Sequence, residues 1–407
     1  MLSKVANALS QYPWLKQVLK RVFFLPGALI SFYLPRYRSA EQEVILFSEK
    51  RNDCFFGYYD QTPFGERGAV IFHRSSDPGS VEIIHARSGH FSKLGESTTW
   101  NLQQGARLAW LMKNVVIYNV EEGGLLRAKV QPKDSEGRLL NSPMAALSAD
   151  AQKIVGCDFA AISRLNPEYG YLVDGKIPDQ NHYGAFWVED VNNGDISHTV
   201  NLEQVLDCVP RSAFRDAEHE LNHFSFSPDG QTLAFVHRWY GLSGSRNSRL
   251  LAFDLRNGML LNLLDNGMVS HYCWTENSSL FIYGNHSRGK SGFCTLSVNG
   301  GACHVNIHES LSSFGDGHPS YNSKTGLIVF DSYPDWKRYQ YLYLYSPEKD
   351  AVSEIGRFRS PLRFFGPRRC DLHPRWDEPG ERIAIDVCFN NKRELMNLNV
   401  SKRVSMF

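Results

Sequence analysis

Four histidines stand at the same place in four successive copies of one short sequence pattern. Each histidine is followed three residues later by an aromatic residue, in the segments ELNHFSFSPDG (His223, Phe226), MVSHYCWTENSS (His271, Trp274), GDGHPSYNSKTG (His318, Tyr321) and DLHPRWDEPGER (His373, Trp376). The aromatic residues lie 48, 47 and 55 residues apart. Imidazoles from separate repeats that converge on one axis could bind a transition metal or transfer protons.

Weaker copies of the pattern extend it toward the N-terminus. They place Tyr59, Arg107 and Met144 at the histidine position, with aromatic or apolar anchors near residues 62, 110 and 147. Seven units of about 52 residues therefore fit the chain, which is typical of a repeat architecture. Equivalent positions in a ring of such units face a common axis, so the histidines are predicted to meet there.

Each unit contains short apolar runs rich in β-branched and aromatic residues, such as TLAFVH, SLFIYG, GLIVFD and RIAIDV. Turn signals separate the runs, and no long helical period appears after residue 45 apart from a short helix near residues 201–208. The sequence predicts an all-β, seven-bladed β-propeller over residues 45–407, with an insertion at about 163–221 that is long enough to form a lid. An open solenoid is the alternative, but it would need distinct polar ends.

Composition narrows the function classes. A formal net charge of +1 over 407 residues does not indicate the strongly basic surface that nucleic-acid binding requires. The eight cysteines are dispersed without a CxxC pair, which favours free thiols and a reducing compartment. Neither a GxSxG elbow nor a phosphate-binding glycine loop occurs in the sequence. These patterns predict a cytoplasmic protein that does not bind nucleic acid.

Residues 1–44 differ in kind and are predicted to form an amphipathic or hydrophobic helical segment. An apolar run at residues 22–34 is flanked by basic residues and is too short to span a bilayer. Such a segment suits the surface of a membrane, here the inner face, or a helix that docks on the side of the propeller. The sequence leaves both alternatives open.

Further charged and aromatic residues are predicted to surround the histidines. The second strand of each blade ends on the histidine face, and the residues that reach it include Asp158, His237, Arg238, Asp331 and Asp386. Ahead of the last blade, arginines could hold the carboxylates of an acidic sugar or tie the last blade to the first. The candidate substrate-binding residues are Arg368, Arg375, Trp100, Asp331 and Asp371. Trp100 could stack on a sugar or belong to the core.

The run SFSPDGQTLAFVHR is similar to the repeat of TolB-like propellers, and GDGHPSY and RCDLHPRW resemble the oligogalacturonate-lyase-like branch of seven-bladed propellers. The resemblance implies a divalent metal, with Mn²⁺ favoured, held by His271, His318 and His373. It also implies that His223 is the catalytic base and that Arg238 or Arg369 stabilises charge. His237 and Tyr59 are further catalytic candidates, because their positions in the repeats place them beside the histidines. A glutamine ligand of that family has no firm counterpart here, and Gln104 is a candidate.

The leading hypothesis is a carbohydrate-active propeller that acts on or binds an acidic polysaccharide or oligosaccharide, by metal-assisted β-elimination if it is a lyase. The competing hypothesis is a non-catalytic scaffold or glycan-binding propeller that works with surface-polysaccharide biosynthesis proteins near a membrane. The FFGYYD segment and the hydrophobic N-terminus are not features of pectin-degrading members, so they suggest a different glycan.

Overall fold

The computed structural model describes residues 13–32, 35–39, 44–49, 52–77, 79–242, 245–287, 289–299, 302–389 and 391–407. Within the predicted N-terminal segment, residues 1–12, 33–34 and 40–43 lie outside the described residues.

Seven antiparallel sheets of four or five strands make up the molecule, which confirms the predicted all-β, seven-bladed propeller. Two N-terminal strands, β1 (Tyr37–Ser39) and β2 (Val44–Phe47), precede the first blade. Blade one contains β3 (Cys54–Phe55), β4 (Val70–Asp77), β5 (Ser80–Arg87) and β6 (His90–Ser97). Blade two contains β7 (Ala109–Met112), β8 (Val115–Glu122), β9 (Leu125–Pro132) and β10 (Arg138–Leu139). Blade three contains β11 (Ala146–Leu147), β12 (Lys153–Cys157), β13 (Phe186–Asp190) and β14 (Ile196–Val200).

Blades four to seven carry the histidine repeats. Blade four contains β15 (Glu218–Phe226), β16 (Thr232–Tyr240), β17 (Arg246–Asp254) and β18 (Met259–Leu264), and blade five contains β19 (Val269–Glu276), β20 (Ser279–Ser287), β21 (Lys290–Asn299) and β22 (Ala302–Ile307). Blade six contains β23 (Ser320–Asn322), β24 (Leu327–Asp331), β25 (Tyr339–Ser346) and β26 (Ala351–Arg359). Blade seven contains β27 (Arg375–Trp376), β28 (Arg382–Phe389) and β29 (Lys392–Asn399). The apolar runs singled out in the sequence lie in the second strands β16, β20, β24 and β28. Nearly all side chains of β16, β24 and β28 are buried, whereas β20 is buried mainly in its first half.

The N-terminal strands close the ring. Strand β2 pairs antiparallel with β29, so the seventh blade is built from both ends of the described chain. Strand β1 pairs with β26 and adds a fifth strand to the sixth blade. Closing the ring through main-chain hydrogen bonds removes the exposed edge that an open array would present.

The aromatic anchors of the repeat join neighbouring blades. The indole of Trp274 donates to the carbonyl of Ser225 at 3.1 Å, and the indole of Trp376 donates to the carbonyl of Ser320 at 3.1 Å. Trp110 donates in the same way to Pro63, which continues the pattern into the first blade. Each anchor thus satisfies a backbone acceptor of the preceding blade while its ring fills the space between the sheets.

Within the described ranges, four α-helices supplement the strands: α1 (Pro13–Phe32), α2 (Phe159–Leu165), α3 (Leu202–Asp207) and α4 (Ser401–Val404). Helix α3 matches the short helix predicted near residues 201–208, and Asn201 with Gln204 forms its capping box. Residues 163–221 hold the outer strands β13 and β14 of the third blade as well as irregular segments. In the described part of the chain, none of the helices combines the length and apolar character needed to cross a bilayer.

Candidate functional site

The four repeat histidines meet at the central channel. The ring centroids of His271 and His318 are 4.1 Å apart, those of His318 and His373 are 4.3 Å apart, and those of His223 and His271 are 5.8 Å apart. All four side chains are buried. Since each histidine comes from a different blade, the cluster exists only when the ring is closed.

Two of these histidines have a backbone conformation that side-chain-bearing residues rarely adopt. The φ angle is 55° at His223 and 45° at His373. In strand β15 the register with β16 shifts between Asn222 and Ser225, so His223 lies at a bulge. Bulges redirect side chains, and residues held in the left-handed region cost free energy that the surrounding structure must offset. The local backbone therefore aims these imidazoles into the channel.

The Nδ1 atoms of three histidines are held by acceptors. His318 Nδ1 donates to Asp331 Oδ1 at 2.9 Å, His271 Nδ1 donates to Asp316 Oδ1 at 3.1 Å, and His373 Nδ1 donates to the Gly57 carbonyl at 2.7 Å. A proton on Nδ1 leaves the Nε2 lone pair free. This is the arrangement by which proteins fix the tautomer of metal-binding histidines.

The atoms that would bind a metal are buried and unpartnered. Nε2 of His318, Nε2 of His373 and Oδ1 of Asp371 have no hydrogen-bond partner among the described residues. One ligand atom from each of these three side chains lies within 4.8 Å of the other two. Buried polar atoms without partners are costly, so an array of acceptors that converges in this way fits a divalent cation. Asp371, predicted to bind substrate, belongs to this set, and His271 lies beside it.

Burial and neighbouring charges set the protonation of the cluster. Burial holds the pKa values of His223 and His373 well below the usual value for histidine and also lowers the pKa of His271. Burial acts in the same direction on His318, but the carboxylates of Asp331, Asp371 and Asp316 together outweigh it and raise the pKa. Neutral imidazoles are the form that binds metals and accepts protons.

Asp331 orders two ligands at once. Its Oδ1 also accepts from the backbone N–H of His318 at 2.7 Å, and its Oδ2 accepts from the backbone N–H of His373 at 3.0 Å. The residue between Asp316 and His318 must be glycine, because a Cβ on Gly317 would lie 1.9 Å from the Asp331 carbonyl oxygen. Asp331, predicted to bind substrate, therefore positions the blade-six and blade-seven histidines.

His223 has a different environment. Its Nδ1 lies 2.7 Å from the hydroxyl of Tyr58, and the two rings are stacked with centroids 5.2 Å apart. The phenol of Tyr272 binds its backbone carbonyl. Its Nε2 is buried and has no partner in the described chain. This arrangement leaves one imidazole nitrogen free to accept a proton.

The two candidate charge-stabilising arginines border the cluster. Arg238 forms an ion pair with Glu220 at 2.9 Å, and its charge adds to the effect of burial in lowering the pKa of His223. Arg369 Nε donates to Asp371 Oδ2 at 2.7 Å, and the same guanidinium binds Glu168 and the Tyr169 hydroxyl. The ring of Tyr169 lies 5.1 Å from His223, so the loop that follows α2 covers part of the site.

Some predicted site residues are engaged elsewhere. His237 lies between His219 and Arg249, at 3.0 Å from each. Arg375 binds the carbonyls of Gly57 and Tyr58 and the carboxylate of Asp386, and thus ties the last blade to the first. The Tyr59 ring is 5.4 Å from His318, but its hydroxyl donates to the Tyr272 carbonyl. Outside the cluster, Arg368 is exposed, Trp100 packs on Phe55, and Gln104 lies on a cavity wall.

Asp316 was not singled out from the sequence, although its segment carries a signal. Asp316 and His318 in GDGH, and Asp371 and His373 in CDLH, form the same Asp-x-His pattern in adjacent blades. That repetition is a sign of paired carboxylate and imidazole ligands. Tyr58 carried no comparable signal, because its partner His223 is far away in sequence.

The channel continues past the cluster on the side of the aromatic anchors. A cavity of about 340 Å³ there is lined by Tyr58, His223, Gln104 and Arg107, among others. On another side, Tyr333 is 38% exposed and its ring lies 5.6 Å from that of His318. A larger cavity of about 860 Å³ around Trp110 and Arg382 is not lined by any of the four repeat histidines. The partly exposed side chain of Tyr333 therefore lies between the buried histidine cluster and solvent.

Comparison with solved structures identifies the same architecture in oligogalacturonate lyases. The lyase from Vibrio parahaemolyticus superposes with a TM-score of 0.62 at 12% identity, covering 90% of this chain and 97% of that one. An oligogalacturonate lyase in complex with manganese gives 0.62 at 14% identity, covering 91% and 100%. The chain folds as these lyases fold. TolB from Acinetobacter baumannii gives a TM-score of 0.40 at 12% identity, covering 81% and 79%.

The chain matches no protein-family model, and it has no significant match among curated proteins.

Proposed function

We propose that this propeller binds a divalent metal, with Mn²⁺ favoured, and cleaves an acidic oligosaccharide by β-elimination. The observation that carries the proposal is the set of three buried, unpartnered ligand atoms from His318, Asp371 and His373. Support comes from the shared fold with an oligogalacturonate lyase in complex with manganese. A sequence identity of 14% supports a shared fold and nothing more, so the proposed activity depends on the chemistry of the site.

The donor set fits a borderline divalent cation. Two imidazoles and one carboxylate supply nitrogen and oxygen ligands, as Mn²⁺, Fe²⁺ and Zn²⁺ accept. Asp331 and the Gly57 carbonyl hold the Nδ1 atoms of His318 and His373, so the Nε2 lone pairs are preoriented. A bound cation would neutralise a uronate carboxylate and make the neighbouring C5 proton more acidic.

Residues of the protein would supply the proton acceptor and the positive charge that β-elimination also needs. His223 has a free Nε2 and a low pKa, so it is neutral near pH 7 and is able to accept the C5 proton. The electron pair of that C–H bond would form the C4–C5 double bond while the C4–oxygen bond breaks, and the glycosidic oxygen would leave with a proton from water. The stacked ring of Tyr58 and its hydroxyl fix the orientation of that imidazole. Arg238 supplies positive charge at the border of the site, where carboxylate binding and charge development need it.

The test is an absorbance assay with the full-length protein. β-Elimination creates a carbon–carbon double bond conjugated to the carboxylate, so the product absorbs in the near ultraviolet. We expect uronate oligosaccharides to give this absorbance with added Mn²⁺, and His318→Ala to abolish it. The matched control is His308→Ala, because His308 is also buried but both of its ring nitrogens are bonded, to Tyr345 and Thr295.

Failure of every uronate oligosaccharide to yield this product would overturn the lyase proposal. Calorimetry with the same oligosaccharides would then show whether the site binds acidic glycans without cleaving them.

A further inference from the structure

Helix α1 has a second apolar face that the propeller does not cover. The first face is docked: Gly27 is buried so closely that a Cβ would lie 1.8 Å from the Trp336 carbonyl oxygen. Phe24 meets Phe365 with centroids 6.1 Å apart, and the guanidinium of Arg338 lies 5.5 Å from the Phe24 ring. Tyr339 donates to the Pro35 carbonyl at 2.7 Å just after the helix. These contacts hold α1 against the loops that follow β24 and β26 of the sixth blade.

The opposite face of α1 consists of seven large apolar side chains, each between 46% and 66% exposed: Val18, Leu19, Val22, Phe23, Leu25, Leu29 and Ile30. At roughly 100° per residue they occupy one arc of about 160°, directly away from the docked face. Their combined exposed surface is several hundred Å², about as large as the largest apolar patch on a typical monomer. A helix that needed only to pack on the propeller would not require this second face.

Basic and amphipathic aromatic residues are exposed on α1, on β1 and in the blade-six loops that α1 contacts. Residues 13–39 contain five basic residues and no acidic ones. Arg21, Arg36 and Arg38 are exposed, as is Arg363 in the loop beside Phe364. Trp336 is 49% exposed and Tyr37 is 41% exposed. Arginine and lysine with interfacial tryptophan and tyrosine are the side chains that anchor helices at the surface of anionic bilayers.

We propose that α1 and the edge of the sixth blade form a membrane-binding surface that recognises anionic lipid. The helix lies in the plane of the interface, with the arc from Val18 to Ile30 among the acyl chains and the arginines at the headgroups. Since the other face of the helix is docked on blade six, the propeller stays beside the bilayer. A second copy of the chain is disfavoured as the occupant, because two-fold pairing would bring the basic borders together.

Vesicle co-sedimentation of the full-length protein tests this proposal. The probes are phosphatidylcholine vesicles and vesicles with about one third phosphatidylserine. We expect binding to the anionic vesicles that weakens with salt. Replacing the two most exposed side chains, Phe23→Ser with Leu29→Ser, should weaken binding at least about tenfold, because each buries apolar surface in the bilayer. The matched control is Leu242→Ser with Met259→Ser, which removes exposed apolar side chains from blade four.

Charge reversal provides a second, independent variant. Arg36→Glu with Arg38→Glu should reduce binding to anionic vesicles and remove its salt dependence, whereas Arg67→Glu with Arg87→Glu, on the first blade, should not. All four side chains are exposed, so the fold should tolerate these changes. Thermal unfolding of each variant checks this.

Three results would overturn the proposal. The first is a wild-type protein that does not bind anionic vesicles at low salt. The second is equal binding by the wild type and the Phe23→Ser, Leu29→Ser variant, which would place the lipid contact elsewhere. The third is a wild-type dimer in sedimentation that this variant converts to a monomer without any lipid binding, which would make the arc an interface between copies.

Discussion

The two halves of the channel use the same repeat position for different purposes. In blades four to seven the position holds a histidine, and three of these four imidazoles have a buried Nε2 without a partner in the described chain. In the first two blades it holds Tyr59, bonded to the Tyr272 carbonyl, and Arg107, paired with Asp60 at 3.0 Å. Arg107 Nε also lacks a partner among the described residues, but it is a donor. Acceptor atoms that converge without partners, and not the position in the repeat, therefore distinguish a candidate metal site from a structural contact.

The largest change in free energy is expected from a substitution in the first two blades, where the repeat position has a structural role. Arg107→Met should lower the free energy of unfolding by about 3 kcal/mol, because it leaves the Asp60 carboxylate without its buried partner. Urea unfolding measures this. Arg67→Met is the control, since Arg67 is exposed and has a similar positive φ of 53°. The folded fraction of Arg107→Met should still bind metal, and loss of metal binding in that fraction would contradict the separation of the two halves.

Removal of a ligand should have the next largest effect. His318→Ala or His373→Ala should weaken Mn²⁺ binding at least about 100-fold, because water replaces an imidazole ligand poorly. Titration calorimetry measures the affinity, and His308→Ala should leave it unchanged. An affinity in His318→Ala equal to that of the wild type would place the metal elsewhere.

Changing the residue that orients the ligands should have a smaller effect. Asp331→Asn should weaken Mn²⁺ binding by about 10- to 100-fold, because an amide cannot accept from both backbone N–H groups and from His318 together. Asp377→Asn is the matched control, since Asp377 is also buried and accepts from two backbone N–H groups, those of Glu381 and Arg382, in the turn after β27. Equal losses of affinity in the two variants would show that Asp331 has no special relation to the metal.

The smallest change concerns the hydroxyl of Tyr58. Tyr58→Phe should cost about 1 kcal/mol of stability and slow turnover of a cleaved oligosaccharide, while the Mn²⁺ affinity stays the same. Tyr345→Phe removes a phenol at the same 2.7 Å distance from Nδ1 of His308, so it should lower stability alone. If Tyr58→Phe left turnover unchanged, Tyr58 would not be needed to position His223.

The fold was more predictable from the sequence than the roles of site residues. Periodic anchors and alternating strands are local signals, so the seven blades and helix α3 could be recognised. The ring closure by β2 could not, because its partner β29 lies at the other end of the chain. Convergence of the histidines followed from the repeat, but the hydrogen bonds that define their roles did not. The Gly57 carbonyl that orients His373 is 316 residues away.

The metal site is tested most directly by treating the full-length protein with a chelator, titrating it with Mn²⁺ and then measuring the bound metal by elemental analysis. We expect about one tightly bound ion per chain, lost when His318 and His373 are both replaced by alanine and retained in His308→Ala. Uptake of less than about a tenth of an equivalent of any transition metal by the wild type would contradict this expectation. The cluster would then act through hydrogen bonds and proton transfer alone.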